Sequence, residues 1–147
     1  MTDSKIVCQG VWEVFGPTSE RVAATITSQM TRSQVLESTG HVLAVRDVSF
    51  AVEEGEIFVV MGLSGSGKST LIRCLSRLVD PTLGSILVNG EDVTKMNDEQ
   101  LRLLRRNRMS MVFQRFGLFS HRRVLDNIAY GLEVQGLPKE KRLARAR

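Results

Sequence analysis

Cysteine is scarce in this sequence, and long apolar runs are absent. Its two cysteines, Cys8 and Cys74, fit no spacing typical of metal ligands, and Cys74 is predicted to be a small core residue. The longest clear apolar run covers residues 57–63, whereas a span across a bilayer needs about 18–20 residues. The N-terminus lacks the basic start and apolar stretch of a secretory signal. We therefore expect a cytosolic chain.

Acidic residues are scarce in the last third of the chain. Residues 101–147 carry 12 basic and 3 acidic side chains, whereas the two preceding stretches of 50 residues are net acidic. Such a basic region can attract nucleic acid or an anionic membrane surface. Aromatic residues are sparse there, however, and no nucleic-acid-binding motif accompanies the charge. The pattern favours a solvated helix face, and we expect no nucleic-acid partner.

The amino-acid composition is typical of a globular protein. The hydrophobic content is 42% over 147 residues, which allows one domain with a core. Apolar periodicity and turn signals predict strands over 6–15, 48–52, 57–61, 85–88 and 109–113. They also predict helices over 31–40, 71–78, 97–108 and 125–132, and one that begins at Pro138. Thr31 with Gln34 and Asn97 with Gln100 match the signal for a capped helix start.

Residues 62–69 form the most informative stretch of the sequence. They read Gly-Leu-Ser-Gly-Ser-Gly-Lys-Ser and match the phosphate-binding pattern G-x-x-x-x-G-K-[ST]. The glycines let the backbone curl around an anion, while successive N–H groups and a helix N-terminus supply positive potential. In this motif Lys68 reaches the β- and γ-phosphates, and the Ser69 hydroxyl ligates Mg²⁺.

A glycine-rich turn that binds nothing is the alternative, but it requires no Lys-Ser at its end. The sequence therefore predicts a nucleoside triphosphate site. Its predicted binding residues are Gly62, Ser64, Gly65, Ser66, Gly67, Lys68, Ser69 and Thr70, with Lys68 also a candidate catalytic residue.

Four further patterns accompany this loop in chain order. They are Phe15-Gly16, the Asp-Pro-Thr-x-Gly turn at 80–84, the hairpin at 88–93 and the strand end Phe113-Gln114. Together they resemble the ATP-binding subunit of an ATP-binding-cassette (ABC) transporter. The amino-acid sequence of residues 54–70, 111–114 and 124–127 most resembles that of the ATP-binding subunits of importers of glycine betaine, proline and related quaternary-ammonium osmoprotectants.

The resemblance implies an α/β fold of the P-loop NTPase class, with a RecA-like core and the antiparallel β subdomain of an ABC ATPase. It covers only the N-terminal part of such a subunit. We therefore expect residues 1–147 to form a single incomplete nucleotide-binding domain, truncated after the Q-loop. Within it, residues 17–41 are a family insertion, and residues 115–147 begin the helical subdomain.

The resemblance also implies roles for individual residues. Phe15 would stack on the adenine of ATP, with Trp12 a weaker candidate. The alternative, which the resemblance makes the less favoured one, is that Phe15 is a core residue. Gln114 corresponds to the Q-loop glutamine, which contacts Mg²⁺ and the attacking water, and is thus a catalytic and metal-site candidate. The segment at about 115–123 would face a transmembrane permease subunit. Its aromatic residues Phe116 and Phe119 can instead pack within the helical subdomain.

The implied cofactors are ATP and Mg²⁺. The implied partners are the permease, a second ATP-binding subunit in a homodimer and, indirectly, a periplasmic or extracellular substrate-binding protein. The implied location is peripheral, on the inner face of the cell membrane.

Several parts needed for ATP hydrolysis are missing from the sequence. It contains no apolar strand ending in Asp-Glu (Walker B) and no Leu-Ser-Gly-Gly-Gln signature. Neither His41 nor His121 has the context of the family's switch histidine, and both are predicted to be structural or surface residues. We therefore expect nucleotide binding without sustained turnover. Two other functions remain open: a small P-loop kinase that uses the arginines of 102–108, and a non-catalytic fragment that binds nucleotide or a membrane partner.

Overall fold

The structure, a computed structural model, describes residues 4–113 and 117–147. The predicted site residue Gln114 and its neighbour Phe116 lie outside the described residues. The chain divides into two compact units, Met1–Met96 and Asn97–Arg147, which are considered separately below.

The first unit contains strands β1 (Ile6–Phe15), β2 (Val42–Val52), β3 (Leu83–Val88) and β4 (Glu91–Asp92). Its helices are α1 (Ser19–Ala23), α2 (Arg32–Thr39) and α3 (Lys68–Leu75), with a 3₁₀ turn at Val93–Lys95. The second unit contains α4 (Asp98–Asn107), α5 (Val124–Ile128), α6 (Tyr130–Val134) and α7 (Lys139–Arg145). The longest described helix has ten residues. None in the described ranges combines the length and hydropathy needed to cross a bilayer.

The sheet of the first unit is antiparallel, with strand order β2-β1-β3-β4. β1 pairs with β2 from Ile6 opposite Val52 to Phe15 opposite Val42, and its other edge pairs with β3. β3 turns into β4 at residues 89–90, as the hairpin pattern predicted. β1 is therefore a central strand, and its last residue lies beside the first residue of β2.

The segment between β1 and β2, residues 17–41, packs on the sheet through a small apolar cluster. The buried members are Val14 and Leu43 of the sheet with Ala23, Ile26 and Val35 of the segment. The predicted capping box opens α2: the Thr31 hydroxyl accepts from the Gln34 N–H, and the Gln34 side chain accepts from the Thr31 N–H. Local capping and burial of one helix face together hold this segment against the sheet.

His41 is buried where the segment rejoins the sheet. One ring nitrogen lies 2.6 Å from the carbonyl oxygen of Thr39, and the other lies 2.6 Å from that of Pro17. The ring thus links the two ends of segment 17–41. The prediction of a structural histidine is confirmed at this position, and His121 is an exposed residue, again as predicted.

Both cysteines are buried in the first unit. Burial raises the pKa of the Cys8 thiol to about 11 and that of the Cys74 thiol to about 12. Both thiols are therefore protonated at neutral pH and act as small apolar side chains. The predicted core position of Cys74 is confirmed.

The Asp-Pro-Thr-x-Gly turn is tied to β1 through Thr82. The Thr82 hydroxyl accepts from the Val14 N–H at 3.0 Å, and the Thr82 N–H donates to the Glu13 carboxylate at 3.1 Å. Glu13 is almost fully buried. Its pKa lies above the ordinary value of 4.5 because burial disfavours the charged form, although the hydrogen bonds from Thr82 act in the opposite direction.

Two of the predicted strands, 57–61 and 109–113, are wrong. Ile57 is 88% exposed and Val112 is 97% exposed, so neither segment is buried. A strand needs a neighbouring strand to take up its N–H and C=O groups, and no such partner lies beside either segment in the described part of the chain. Phe58 instead stacks on Phe50, with ring centroids 4.6 Å apart.

The helix after the phosphate loop ends at Leu75, before the predicted limit of 78. In the second unit, α4 begins with the predicted capping box of Asn97 and Gln100 and buries Leu101 and Leu104. The helix predicted over 125–132 is divided into α5 and α6 at Ala129. α7 begins after Pro138, as predicted.

The raised pKa of Glu13 makes a prediction about pH and stability. Between 4.5 and the native pKa, the native state binds more protons at this carboxyl than the unfolded state. Glu13 therefore lowers stability as the pH rises through that window. We expect the difference in free energy of unfolding between Glu13→Gln and the parent chain (variant minus parent) to be larger at about pH 7 than at about pH 4, so that the variant gains relative stability as the pH rises.

The measurement is urea unfolding followed by the fluorescence of the single tryptophan, Trp12. Glu37→Gln, at an exposed position on α2, is the matched control for the loss of one carboxylate. If the free energy of unfolding of Glu13→Gln minus that of the parent chain falls as the pH rises, the assignment is contradicted.

Candidate functional site

A cavity of about 420 Å³ in the first unit joins the phosphate-binding pattern to the end of β1. Four parts of the chain contribute its walls: the last residue of β1, one face of α2, the beginning of β2, and the loop that enters α3. The lining residues are Phe15, Arg32, Ser33, Leu36, Val42, Leu43, Ala44, Gly65, Ser66, Gly67, Lys68, Ser69 and Thr70. The structure thus brings together residues that are up to 55 positions apart in the sequence.

The phosphate-binding pattern forms a tight loop that leads directly into α3. Gly67 is the N-cap of this helix and has φ +95°. A Cβ atom at Gly67 would lie 2.1 Å from the carbonyl oxygen of Ala44 on β2. Glycine is therefore required both by the backbone conformation and by the close approach of the loop to the sheet.

Lys68 and Ser69 lie in the first turn of α3 and line the cavity. The Lys68 ammonium donates to the carbonyl oxygens of Gly62 at 2.8 Å and Leu63 at 2.7 Å, so a positive charge is held over the loop. The exposed Ser69 hydroxyl is available to a ligand in the cavity. Positive charge, a helix N-terminus and a curled backbone together form an arrangement that favours a bound polyanion.

The other end of the cavity is apolar. Phe15 is 43% exposed, and Leu36 and Val42 are each about half exposed. All three line the same cavity as the polar loop, so they form an uncovered apolar part of its wall. This exposure does not fit the alternative that Phe15 is a core residue. Trp12 lies elsewhere, against the apolar cluster beneath segment 17–41, with the Arg46 guanidinium 6.0 Å from its ring centroid.

Arg32 is a cavity residue that the sequence patterns did not reveal. Its guanidinium donates to the carbonyl oxygens of Gly65, Ser66 and Ala44 at 3.0, 2.8 and 3.1 Å. Ser33 and Leu36, on the same helix, were also missed. The capping box predicted the beginning of α2, but no local signal indicated which face of that helix meets the loop.

The structure places the remaining predicted site residues as follows. Gly62 and Ser64 belong to the loop without lining the cavity, and Gln114 lies outside the described residues. Across residues 4–113 and 117–147, no group of three or more His, Cys, Asp or Glu side chains could hold a metal ion. In the described cavity the donor available to Mg²⁺ is thus a hydroxyl, which fits a cation held mainly by phosphate oxygens and water.

The predicted partner-facing segment, 115–123, is described from Gly117 onwards and belongs to the second unit. The Asn127 side chain holds it: Oδ1 accepts from the Phe119 N–H at 2.8 Å, and Nδ2 donates to the Phe119 carbonyl at 3.1 Å. The Phe119 ring packs against Tyr130, with centroids 4.7 Å apart, so Phe119 packs within its own unit. Leu118 is 68% exposed.

Comparison with known proteins identifies the family. A family model described as ABC transporter matches residues 45–147. The chain is 46% identical over 142 residues to the glycine betaine/proline betaine transport system ATP-binding protein ProV of Escherichia coli (strain K12), covering 97% of this chain and 36% of that protein. It is also 46% identical over 142 residues to the glycine betaine transport ATP-binding protein OpuAA of Bacillus subtilis (strain 168), covering 97% and 34%.

A third relative is the trimethylamine N-oxide transport system ATP-binding protein TmoW of Ruegeria pomeroyi, with 48% identity over 142 residues, 96% of this chain and 41% of that protein. Among solved structures, the ATP-binding cassette MJ0796 bound to ADP and Pi aligns with a TM-score of 0.74 at 24% identity, covering 96% of this chain and 53% of that one. The likeness to this cassette confirms the predicted fold class.

The chain belongs to the ABC transporter family. The resemblance to the ATP-binding proteins of glycine betaine importers is thereby confirmed. The chain spans between about a third and two fifths of the length of the curated relatives it matches.

Adding a methyl group at Gly65 or Gly67 separates two costs in stability: the strain of a left-handed backbone and the steric clash with the Ala44 carbonyl. Gly65 has φ +76° but open space around its Cβ position, whereas Gly67 has both a positive φ and the 2.1 Å approach. We expect Gly65→Ala to lower the free energy of unfolding by about 1 kcal/mol, the cost of the left-handed conformation. Gly67→Ala should cost about 1–3 kcal/mol more because the loop must move away from β2.

Urea unfolding of the two variants under identical conditions provides the measurement. Since both carry the same chemical change in the same loop, Gly65→Ala is the control. Equal costs for the two substitutions would show that the loop does not press on β2.

Proposed function

We propose that this chain is the N-terminal portion of the ATP-binding subunit of an ABC importer that energises uptake of glycine betaine- or proline-type osmoprotectants. One observation carries the proposal: a single cavity has the phosphate loop at one end and the exposed ring of Phe15 at the other. A nucleotide has two parts that match this lining: anionic phosphates for the loop and an aromatic base for the Phe15 ring. The relatives named above, which are ATP-binding proteins of glycine betaine transport systems, supply the substrate class.

In this function the triphosphate lies in the loop of Gly62 to Gly67. Lys68 neutralises phosphate charge, and Ser69 contributes its hydroxyl to Mg²⁺, which supplies electrostatic stabilisation of the phosphates when bound. Thr70, in the first turn of α3, also lines the cavity. The Phe15 ring provides a stacking face for adenine. Gln114 is proposed as the residue that contacts Mg²⁺ and the attacking water.

The proposed domain arrangement is the one that the family resemblance implies. We propose that residues 1–147 are one incomplete nucleotide-binding domain, in which 17–41 is an insertion and 115–147 begins the helical subdomain. The segment at about 115–123 is proposed to contact the permease, and its described part carries the exposed Leu118. Such a subunit would pair with a second copy, act indirectly on a substrate-binding protein, and lie on the cytoplasmic face of the membrane.

Nucleotide binding is the first test. We expect the purified chain to bind ATP with Mg²⁺ in isothermal titration calorimetry. Lys68→Ala should weaken binding by about tenfold or more, since a charge-assisted contact to phosphate is lost. Phe15→Ala should weaken it by about tenfold through loss of base stacking.

Lys95→Ala is the matched control, because Lys95 is an exposed lysine of the first unit that pairs with Asp92 and does not line the cavity. Its affinity should equal that of the parent chain. ATP affinity that survives both Lys68→Ala and Phe15→Ala would refute the proposed site.

Turnover is the second test. The residues lining the described cavity include no carboxylate, whereas hydrolysis needs a further Mg²⁺ ligand and a group that orients the attacking water. We expect the purified 147-residue chain to release no phosphate from ATP above the buffer rate in a steady-state assay. Phosphate release that Lys68→Ala abolishes would contradict this expectation.

A further inference from the structure

Arg32 stands at the beginning of α2, and its guanidinium reaches three backbone carbonyls outside its own helix. Nη1 donates to Gly65 O at 3.0 Å, and Nη2 donates to Ser66 O at 2.8 Å. Nη2 also donates to Ala44 O at 3.1 Å. One side chain of segment 17–41 therefore joins the phosphate loop to β2.

Two of these hydrogen bonds determine how peptide units of the loop are oriented. A trans peptide unit carries its C=O and N–H groups in opposite directions, and the described residues contain no cis peptide bond. With the carbonyls of Gly65 and Ser66 held towards Arg32, the N–H groups of Ser66 and Gly67 point away from the guanidinium. The Ser66 N–H donates to the Leu63 carbonyl at 3.2 Å within the loop, so the Gly67 N–H is the group that this orientation offers to an anion. Backbone N–H groups of such a loop are what a phosphate-binding site directs at its anion.

The requirements of α2 itself do not explain an arginine at this position. The first turn of a helix favours acidic side chains, because the N-terminus is the positive end of the helix dipole. Thr31 and Gln34 already satisfy the beginning of α2 through the capping box. A cation in this turn weakens the helix slightly. The contribution of Arg32 to the structure therefore comes from its hydrogen bonds to the loop.

We propose that Arg32 is a positioning residue for the phosphate loop. It holds the peptide unit between Ser66 and Gly67 in its anion-binding orientation before nucleotide arrives, and it supports the turn in which the Ser66 N–H donates to the Leu63 carbonyl. It acts through the backbone of the loop. The proposal rests on the proposed function, in which this loop binds the triphosphate of ATP. It gives segment 17–41 a part in nucleotide affinity, because the residue that supports the loop belongs to that segment.

The test compares Arg32→Gln and Arg32→Lys with a matched arginine. Arg46 also donates from Nη2 to a backbone carbonyl of segment 17–41, Met30 O at 2.6 Å, but it does not line the cavity. Two quantities are measured on the purified chain: ATP affinity by calorimetry, and hydrogen exchange of the amides of residues 65–67 without nucleotide.

We expect Arg32→Gln to weaken ATP binding by about fivefold, the scale of exposed charge-assisted hydrogen bonds. Exchange at residues 65–67 should become faster in the same variant. Arg32→Lys should restore part of the ATP affinity and part of the protection from exchange. A lysine ammonium can donate to one of the three carbonyls but lacks the planar guanidinium that reaches all of them. Arg46→Gln should leave both quantities at the parent values, even if it lowers the melting temperature.

Two outcomes would overturn the proposal: unchanged loop exchange in Arg32→Gln, or an equal loss of ATP affinity in Arg46→Gln, which would indicate general destabilisation. Failure of the parent chain to bind ATP would refute the proposed function instead. The exchange comparison, which uses no nucleotide, would then still decide whether Arg32 orders the loop.

Discussion

The backbone carbonyl of Ala44 is the point where the sheet, segment 17–41 and the phosphate loop meet. Gly67 approaches this oxygen so closely that a Cβ atom would lie 2.1 Å from it, and Arg32 donates to the same oxygen at 3.1 Å. Ala44 belongs to the buried part of β2, which pairs with β1. The loop is thus positioned by a paired strand beside it, whereas the segment that precedes it, 57–61, is unpaired and largely exposed.

The two ends of the cavity depend on different physical terms. At the polar end, a helix N-terminus and the Lys68 ammonium create a positive potential that an anion would neutralise. At the apolar end, Phe15, Leu36 and Val42 leave hydrophobic surface in contact with water. In the proposed function, a nucleotide would neutralise the positive potential with its phosphates and cover the apolar surface with its base. Pairing of Phe15 with Val42 in the sheet keeps the apolar wall in place.

The sequence predicted those helices and turns that are stabilised by interactions between residues a few positions apart. The capping boxes at Thr31 and Asn97, the hairpin at 88–93 and the helix after Pro138 all form as predicted, because each depends on hydrogen bonds or dihedral preferences within a few residues. The strands predicted over 57–61 and 109–113 do not form. Their apolar composition is local, but a strand also needs a partner from a distant part of the chain.

The sequence by itself determined the family and the position of the phosphate-loop pattern, and it predicted the roles of Lys68 and Ser69, because those predictions depend on residue types at a fixed spacing. Only the tertiary structure decided what surrounds the loop. Arg32 donates to the loop, and Leu36 and Val42 line the same cavity as the loop. No periodicity or motif encodes this proximity between residues more than 20 positions apart. Long-range packing selects which face of a helix or strand meets a site, and that selection follows from the whole fold.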